Sequence, residues 1–367
     1  MPGTIFEDLF VLELANNHLG SVARGLTIIE QFSKIVRFNN VKAAIKLQFR
    51  DVDHFIHPDF RGHQDRYIKK TLATKLSHAD YATLIKAIVE NNCMPMATPF
   101  DEASVALCEE FALPIIKIAS SSINDWPLLE AIAATKRPVI VSTGGASVKD
   151  TDDIVAFFTK RNIQLALNHC VSIYPSEDSE LDLNQIDYLK KRYPDQVIGF
   201  STHEYHDFAN SMLIAYAKGA RLFERHIDID LDNVSVSPYC ALPEQIDTWF
   251  KSYKKAVEMC GAPGTQKRVS PKKETTYLEG MIRGIYARRD LPKGYRLQHL
   301  TMDNDVYAAV PLQQGQISCR ELMSGEVLLQ DIKMHAPVMI DDIDSVYAQN
   351  ADLKNRIYQR GVPGLVK

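Results

Sequence analysis

Long apolar runs, Cys-x-x-Cys pairs and basic clusters are all missing from this 367-residue chain. No apolar stretch approaches the roughly 20 residues that cross a bilayer, so no membrane association is expected. The net charge is −4 and lysine and arginine form no run, which argues against nucleic acid as the main partner. The opening residues lack the basic and apolar regions of a secretory signal. The six cysteines, Cys93, Cys108, Cys170, Cys240, Cys260 and Cys319, suit a reducing compartment better than a disulfide framework or a structural zinc. The expected location is the cytoplasm.

What is present is a rhythm. Short β-branched apolar runs fall at 9–14, 43–48, 94–98, 115–119, 139–143, 164–168, 197–202 and 221–226. Helical patterns separate most of them, at 80–89, 104–111, 128–134, 154–161 and 208–218, and another follows at 243–259. Ser77 and Asp80 offer a capping-box start to the first of these helices. Eight strands alternating with helices over about 250 residues favour a closed (β/α)8 TIM barrel over an open doubly wound sheet.

The rhythm breaks after residue 262. A Gly/Pro/Ser stretch with basic residues, 263–279, reads as a linker. Short apolar runs punctuated by Lys293-Gly294, Gln314-Gly315 and Ser324-Gly325 then predict a small β-rich domain over 280–338. Residues 339–367 form a partly charged tail.

In a barrel of this kind the active site is built at the carboxyl ends of the strands. Those ends are polar although the strands are apolar. Lys46 and Lys117, with the hydroxyls of Thr98, Ser120, Ser142 and Ser201, form a collar suited to a phosphate or carboxylate; pairing of each lysine with a carboxylate is the alternative. His203 and His226 end neighbouring strands and offer a divalent cation two neutral nitrogen ligands, leaving positions open for substrate; two unrelated histidines, each hydrogen-bonded to backbone, are the alternative. Glu13 is the carboxylate best placed for proton transfer or for ordering a water, and an ion pair with Lys46 is its alternative. Cys170 reads as a packed thiol, and His18 and His169 as loop-orienting residues.

Taken in order, Glu13-Leu-Ala-Asn-Asn-His-Leu-Gly-Ser21, Lys46-Leu-Gln48, Thr98-Pro-Phe-Asp101, Lys117-Ile-Ala-Ser120, Val141-Ser-Thr-Gly144, Tyr174-Pro175, Gly199-Phe-Ser201 and Glu224-Arg-His226 resemble the sialic acid synthase family, the phosphoenolpyruvate-dependent nonulosonate synthases. Ile285-Tyr-Ala-Arg-Arg-Asp-Leu-Pro-Lys-Gly294 resembles the opening of the antifreeze-like (SAF) domain such enzymes carry. The likeness covers about residues 8–338. It implies condensation of phosphoenolpyruvate with the open-chain aldehyde of an amino sugar. It implies Mn²⁺ or Mg²⁺ on His203 and His226, beside which the strand-end reading puts Glu13 as the catalytic carboxylate. Phosphoenolpyruvate contacts fall on Lys46, Thr98, Lys117, Ser120, Ser142, Ser172 and Ser201, and sugar contacts on Gln48, Ser122 and Tyr174. It also implies a homodimer in which one subunit's antifreeze-like domain covers the other's barrel.

Departures concentrate on the sugar side. Ser122 stands where the family has a glutamate, and Thr202 where it has an aspartate. The family's Gly-Pro-Asp motif is absent from Asn233-Val-Ser-Val-Ser237, and its domain-borne arginine has no equivalent in Asp303-Asn-Asp-Val-Tyr-Ala308. The expected function is therefore a metal-dependent synthase of a 3-deoxy-2-ulosonic acid acting on an unusual acceptor. A non-catalytic sugar-binding relative and a barrel aldolase or lyase are the rivals.

Overall fold

The computed structural model describes residues 4–231, 233–262, 264–297, 305–322 and 325–364. Pro263 of the linker, Ser324, and Asp303 and Asn304 of the arginine-less segment lie outside the described residues. The chain divides into two compact units, Met1–Gly261 and Ala262–Lys367.

The first unit is a closed barrel of eight parallel strands in sequence order. They are β1 Leu9–Ala15, β2 Lys42–Phe49, β3 Met94–Pro99, β4 Ile116–Ile118, β5 Val139–Ser142, β6 Leu165–Cys170, β7 Val197–Thr202 and β8 Leu222–His226. The TIM-barrel expectation holds. Around it run α1 Val22–Asn39, α2 Val52–Phe55, α3 Arg66–Ala73, α4 His78–Glu90, α5 Glu102–Glu110, α6 Trp126–Ala134, α7 Val148–Thr159, α8 Asn184–Arg192, α9 Asn210–Lys218 and α10 Pro243–Cys260. Ser77 and Asp80 do form a reciprocal capping box at the start of α4. A second one, Ser147 with Asp150, starts α7 at Val148, six residues before the apolar pattern predicts it.

The strands are apolar on both faces because each face is covered, and the two-residue period sorts the side chains. Phe10, Leu12 and Leu14 of β1, with Ile45, Leu47 and Phe49 of β2, join the layer between strands and helices. Leu9, Val11, Ala44, Met96, Ile140, Ala166 and Leu222 fill the barrel itself. Two or four residues further on, the same inward phase reaches Glu13, Lys46, Thr98, Ser142, Ser201 and Glu224, and β4 contributes Lys117. The lower barrel is thus an apolar plug and its upper tier is polar.

The second unit has its own core, including Ile285, Ala287, Leu291, Ile317, Val338 and Ile357. Strands Gly284–Ala287 and Val306–Ala309 pair antiparallel, as do Val327–Leu328 and Ile343–Asp344. Part of the stretch read as linker is helical, Lys272–Glu279, with no buried residue along it. The tail is more ordered than its charge suggests. Helix Ala351–Tyr358 buries Ile357 in that core, and Arg360 pairs with the buried Glu321. Among the described residues no helix is long and apolar enough to cross a membrane.

Candidate active site

Register brings the polar tier together. Glu13 pairs across the sheet with Lys46 on one side and His226 on the other, and Ser201 pairs with both Cys170 and Glu224. Above them opens a cavity of about 990 Å³, lined by Glu13, Lys46, Thr98, Lys117, Ser142 and the two histidines among others. Gln48, Ser120, Ser172, Tyr174 and Ser201 line it too. Ser122 does not. It is buried at the end of the 3-10 turn Ser120–Ser122, whose roughly threefold pitch turns each side chain about 120° from the last, and Ser121 takes the lining position.

Both lysines are sealed from water and both are paired. The Lys46 ammonium contacts Glu13, lies 3.2 Å from Glu224 Oε1 and donates to Thr98 Oγ1 at 3.1 Å. Lys117 donates to Ser142 Oγ at 2.7 Å and reaches Glu224 Oε1 at 3.4 Å. The carboxylate alternative for both lysines, and the ion pair for Glu13, are therefore found in the structure. Burial pushes the Glu224 carboxyl up, but Lys117 and Lys46 outweigh it and hold it down to about 2. Burial also draws the Lys46 ammonium down to about 7, against the pull of Glu224. Glu13 Oε1 is buried without a hydrogen-bond partner, a carboxylate oxygen left for a water or hydroxyl in the cavity.

Two glycines make room for this arrangement. A Cβ on Gly144 would stand 2.3 Å from Ser172 Oγ and 2.8 Å from Ser120 Oγ, and the Gly144 amide donates to Ser120 Oγ at 3.1 Å. A Cβ on Gly199 would meet Asn168 Oδ1 at 2.2 Å. That space lets Asn168 donate to Glu224 Oε2 at 3.4 Å and steady the shared carboxylate.

At the ends of β7 and β8 the rings of His203 and His226 have centroids 5.4 Å apart. Tyr174 and Tyr239 pack around them, with Tyr174 4.0 Å from the His203 ring and Tyr239 5.2 Å from the His226 ring. His203 Nδ1 lies 2.8 Å from the Val171 carbonyl, which only accepts, so Nδ1 carries the proton and Nε2 keeps its lone pair. Burial lowers His203 to about 4, and burial, His203 and Lys46 put His226 well below its ordinary value. Both imidazoles are neutral near pH 7, the form that binds a metal. Among the described residues no group of three or more His, Cys, Asp or Glu is arranged to hold a cation. The donors on offer are two neutral ring nitrogens, with His203 Nε2 left free to coordinate, the type of ligand a divalent ion takes alongside water or substrate.

His169 Nε2 bonds the Leu181 carbonyl at 2.7 Å and His18 Nδ1 accepts from the Gly20 amide at 3.0 Å, so both orient loops. Cys170 is buried with its thiol 3.8 Å from Ser120 Oγ. Arg50, Arg66, Lys70 and Tyr239 also line the cavity, although no sequence pattern singles them out. Glu224 lies two residues after the barrel-filling Leu222 on β8, and that inward phase is the sequence signal for it.

Residues 38–263 match the NeuB family. The chain belongs to the NeuB family. A solved protein from Chromobacterium violaceum, described as spore coat polysaccharide biosynthesis protein E, is 36% identical and superposes with a TM-score of 0.87 over 92% of this chain and 100% of that one. The spore coat polysaccharide biosynthesis protein SpsE of Bacillus subtilis is 32% identical over 69% of this chain and 71% of its own length. The N-acetylneuraminate-9-phosphate synthase of Drosophila melanogaster is 25% identical over 81% and 87%.

Proposed function

We propose that this NeuB-family protein condenses phosphoenolpyruvate with the open-chain aldehyde of a sugar, giving a 3-deoxy-2-ulosonic acid and phosphate. The observation that carries the reading is convergence: two buried ammonium groups and two neutral imidazoles open onto one cavity. That the Drosophila melanogaster relative is named an N-acetylneuraminate-9-phosphate synthase supports the reading.

In this reading Lys46 and Lys117, with Thr98, Ser142, Ser201 and the hydroxyls around Gly144, hold the phosphate and carboxylate of phosphoenolpyruvate. His203 and His226 would hold a divalent ion, Mn²⁺ or Mg²⁺, which when bound polarises the aldehyde oxygen as a Lewis acid. Carbon 3 of phosphoenolpyruvate forms the new bond to the aldehyde carbon. Glu13 orders the water that adds at carbon 2 and takes its proton, and the bond from carbon 2 to the phosphate oxygen then breaks. Gln48 and Tyr174 stand where the acceptor would lie. By its resemblance to the family's antifreeze-like domain, the second unit would cover a partner's barrel in a cytoplasmic homodimer.

A phosphate-release screen of phosphoenolpyruvate against aldoses and N-acyl sugars with Mn²⁺, with product masses recorded, tests the reading. Phosphate release with a product mass equal to both substrates plus water minus phosphate supports it. No release with any acceptor rejects it. One observation favours an aldolase instead: a buried lysine drawn down to about 7 is a competent Schiff-base nucleophile. Covalent trapping of a keto acid on Lys46 by borohydride would select that alternative.

A further inference from the structure

The ladder between β7 and β8 ends at the Thr202–Arg225 pair, so His203 and His226 each stand one residue past it. From there the link between the two strands passes to side chains. The Arg225 guanidinium, one position before His226, donates to Glu204 Oε1 at 2.9 Å and also to the Glu204 carbonyl, one position after His203. A rigid fork that holds both the carboxylate and the backbone of one residue fixes the chain as well as the side chain.

The surroundings hold the fork in turn. Ser211 of α9 donates to the same Glu204 oxygen, and the Phe208 ring lies 4.2 Å from the guanidinium carbon. Both charged side chains are wholly buried, yet neither lines the cavity. Strand alternation accounts for that: Leu222 and Glu224 turn into the barrel, so Phe223 and Arg225 turn toward the helices.

As a source of stability the pair is poor. Glu204 Oε2 and Arg225 Nε are buried without a hydrogen-bond partner. Two charges taken out of water recover their desolvation cost only when the remaining lone pairs and protons are satisfied, and apolar residues of like volume often serve a core as well or better. An apolar pair cannot, however, fix the spacing and heading of two chain segments that have left their ladder. A binding constellation tolerates only about 0.5 Å of error before it loosens.

We infer that Glu204 and Arg225 are positioning residues for the histidine pair: their buried ion pair sets the spacing of His203 and His226 and thereby the affinity for a divalent ion. This rests on the reading of those histidines as metal ligands and adds the residues that make them one site. Both act through the chain, from behind the histidines, and not on substrate.

The test compares full-length wild type with Glu204→Met/Arg225→Met, an apolar replacement of similar volume, and follows free Mn²⁺ by electron paramagnetic resonance. Melting temperature and calorimetric affinity for phosphoenolpyruvate without metal are measured alongside. The double variant is expected to melt at or above the wild-type temperature and to keep its phosphoenolpyruvate affinity. Its Mn²⁺ affinity should fall about tenfold to a hundredfold, the loss typical when the partners behind metal ligands are removed. Glu204→Gln keeps the shape and the oxygen that accepts from Arg225 and Ser211, so its Mn²⁺ affinity should stay close to wild type. Unchanged Mn²⁺ affinity in the double variant, or loss of phosphoenolpyruvate binding along with it, would overturn the inference. A double variant that does not fold would do so too, by showing that the pair holds up the barrel itself, as would Glu204→Gln binding Mn²⁺ as weakly as the double variant. Absence of Mn²⁺ binding in the wild type is a separate outcome, which would remove the metal reading and this inference with it.

Discussion

Glu224 lies 3.2 Å from the Lys46 ammonium, and both side chains are sealed from water. The same oxygen stands 3.4 Å from Lys117, so a single carboxylate separates two buried cations. Breaking a buried ion pair from one side costs about 3–5 kcal/mol, since the remaining charge is left without compensation. Glu224→Gln is therefore expected to destabilise the barrel by roughly that amount in urea denaturation. A loss below about 1 kcal/mol would mean that Glu13 and Thr98 beside Lys46, and Ser142 beside Lys117, suffice to hold the lysines.

Gly144 sets how closely Ser120 and Ser172 approach each other. Gly144→Ala places a Cβ inside contact distance of both hydroxyls and should push them out of the anion collar. Hydrogen bonds to a charged group are worth about 1.5–3 kcal/mol, so KM for phosphoenolpyruvate should rise about tenfold to a hundredfold with the fold retained. Steady-state kinetics with circular dichroism checks this; unchanged KM would show that these hydroxyls do not touch substrate.

The second unit offers a pH test of its own. Burial pushes the Glu321 carboxyl up, but hydrogen bonds from Arg360 and Ser318 hold it below its ordinary value. A folded-state pKa below the unfolded one means the unfolded chain binds the proton more readily between those two values. The stabilisation is then fully present above the ordinary glutamate range and is lost as pH falls through the folded value. Melting curves of wild type and Glu321→Gln from pH 7 to pH 3 should converge at the acid end. A gap that stays constant, or widens toward acid, would contradict the sign.

Much of this architecture is legible in the chain. β7 spans the residues the apolar run predicts, because a fully covered parallel strand has no polar face to blur its ends. The inward phase of β1 and β2 also places Glu13 and Lys46 correctly, since a period of two leaves no freedom once Val11 and Ala44 are in the barrel. Arg50, Arg66 and Lys70 were not legible. They sit in the irregular stretch between β2 and α4, where short helices such as Val52–Phe55 leave too few turns for an apolar period to show. Ser122 was misplaced toward the cavity because sequence position cannot reveal the phase of a single 3-10 turn. Ile357 was hidden in a charged tail whose one buried face is a single residue wide.

The central claim, a cation on two histidines beside an enol phosphate on two lysines, is tested most directly by phosphorus resonance. Mn²⁺ added to the protein with bound phosphoenolpyruvate should broaden the phosphate signal strongly in the wild type. In His203→Ala and His226→Ala the ligand should still bind, while the broadening and turnover disappear. Broadening that persists in both variants, or is absent from the wild type, would contradict the account.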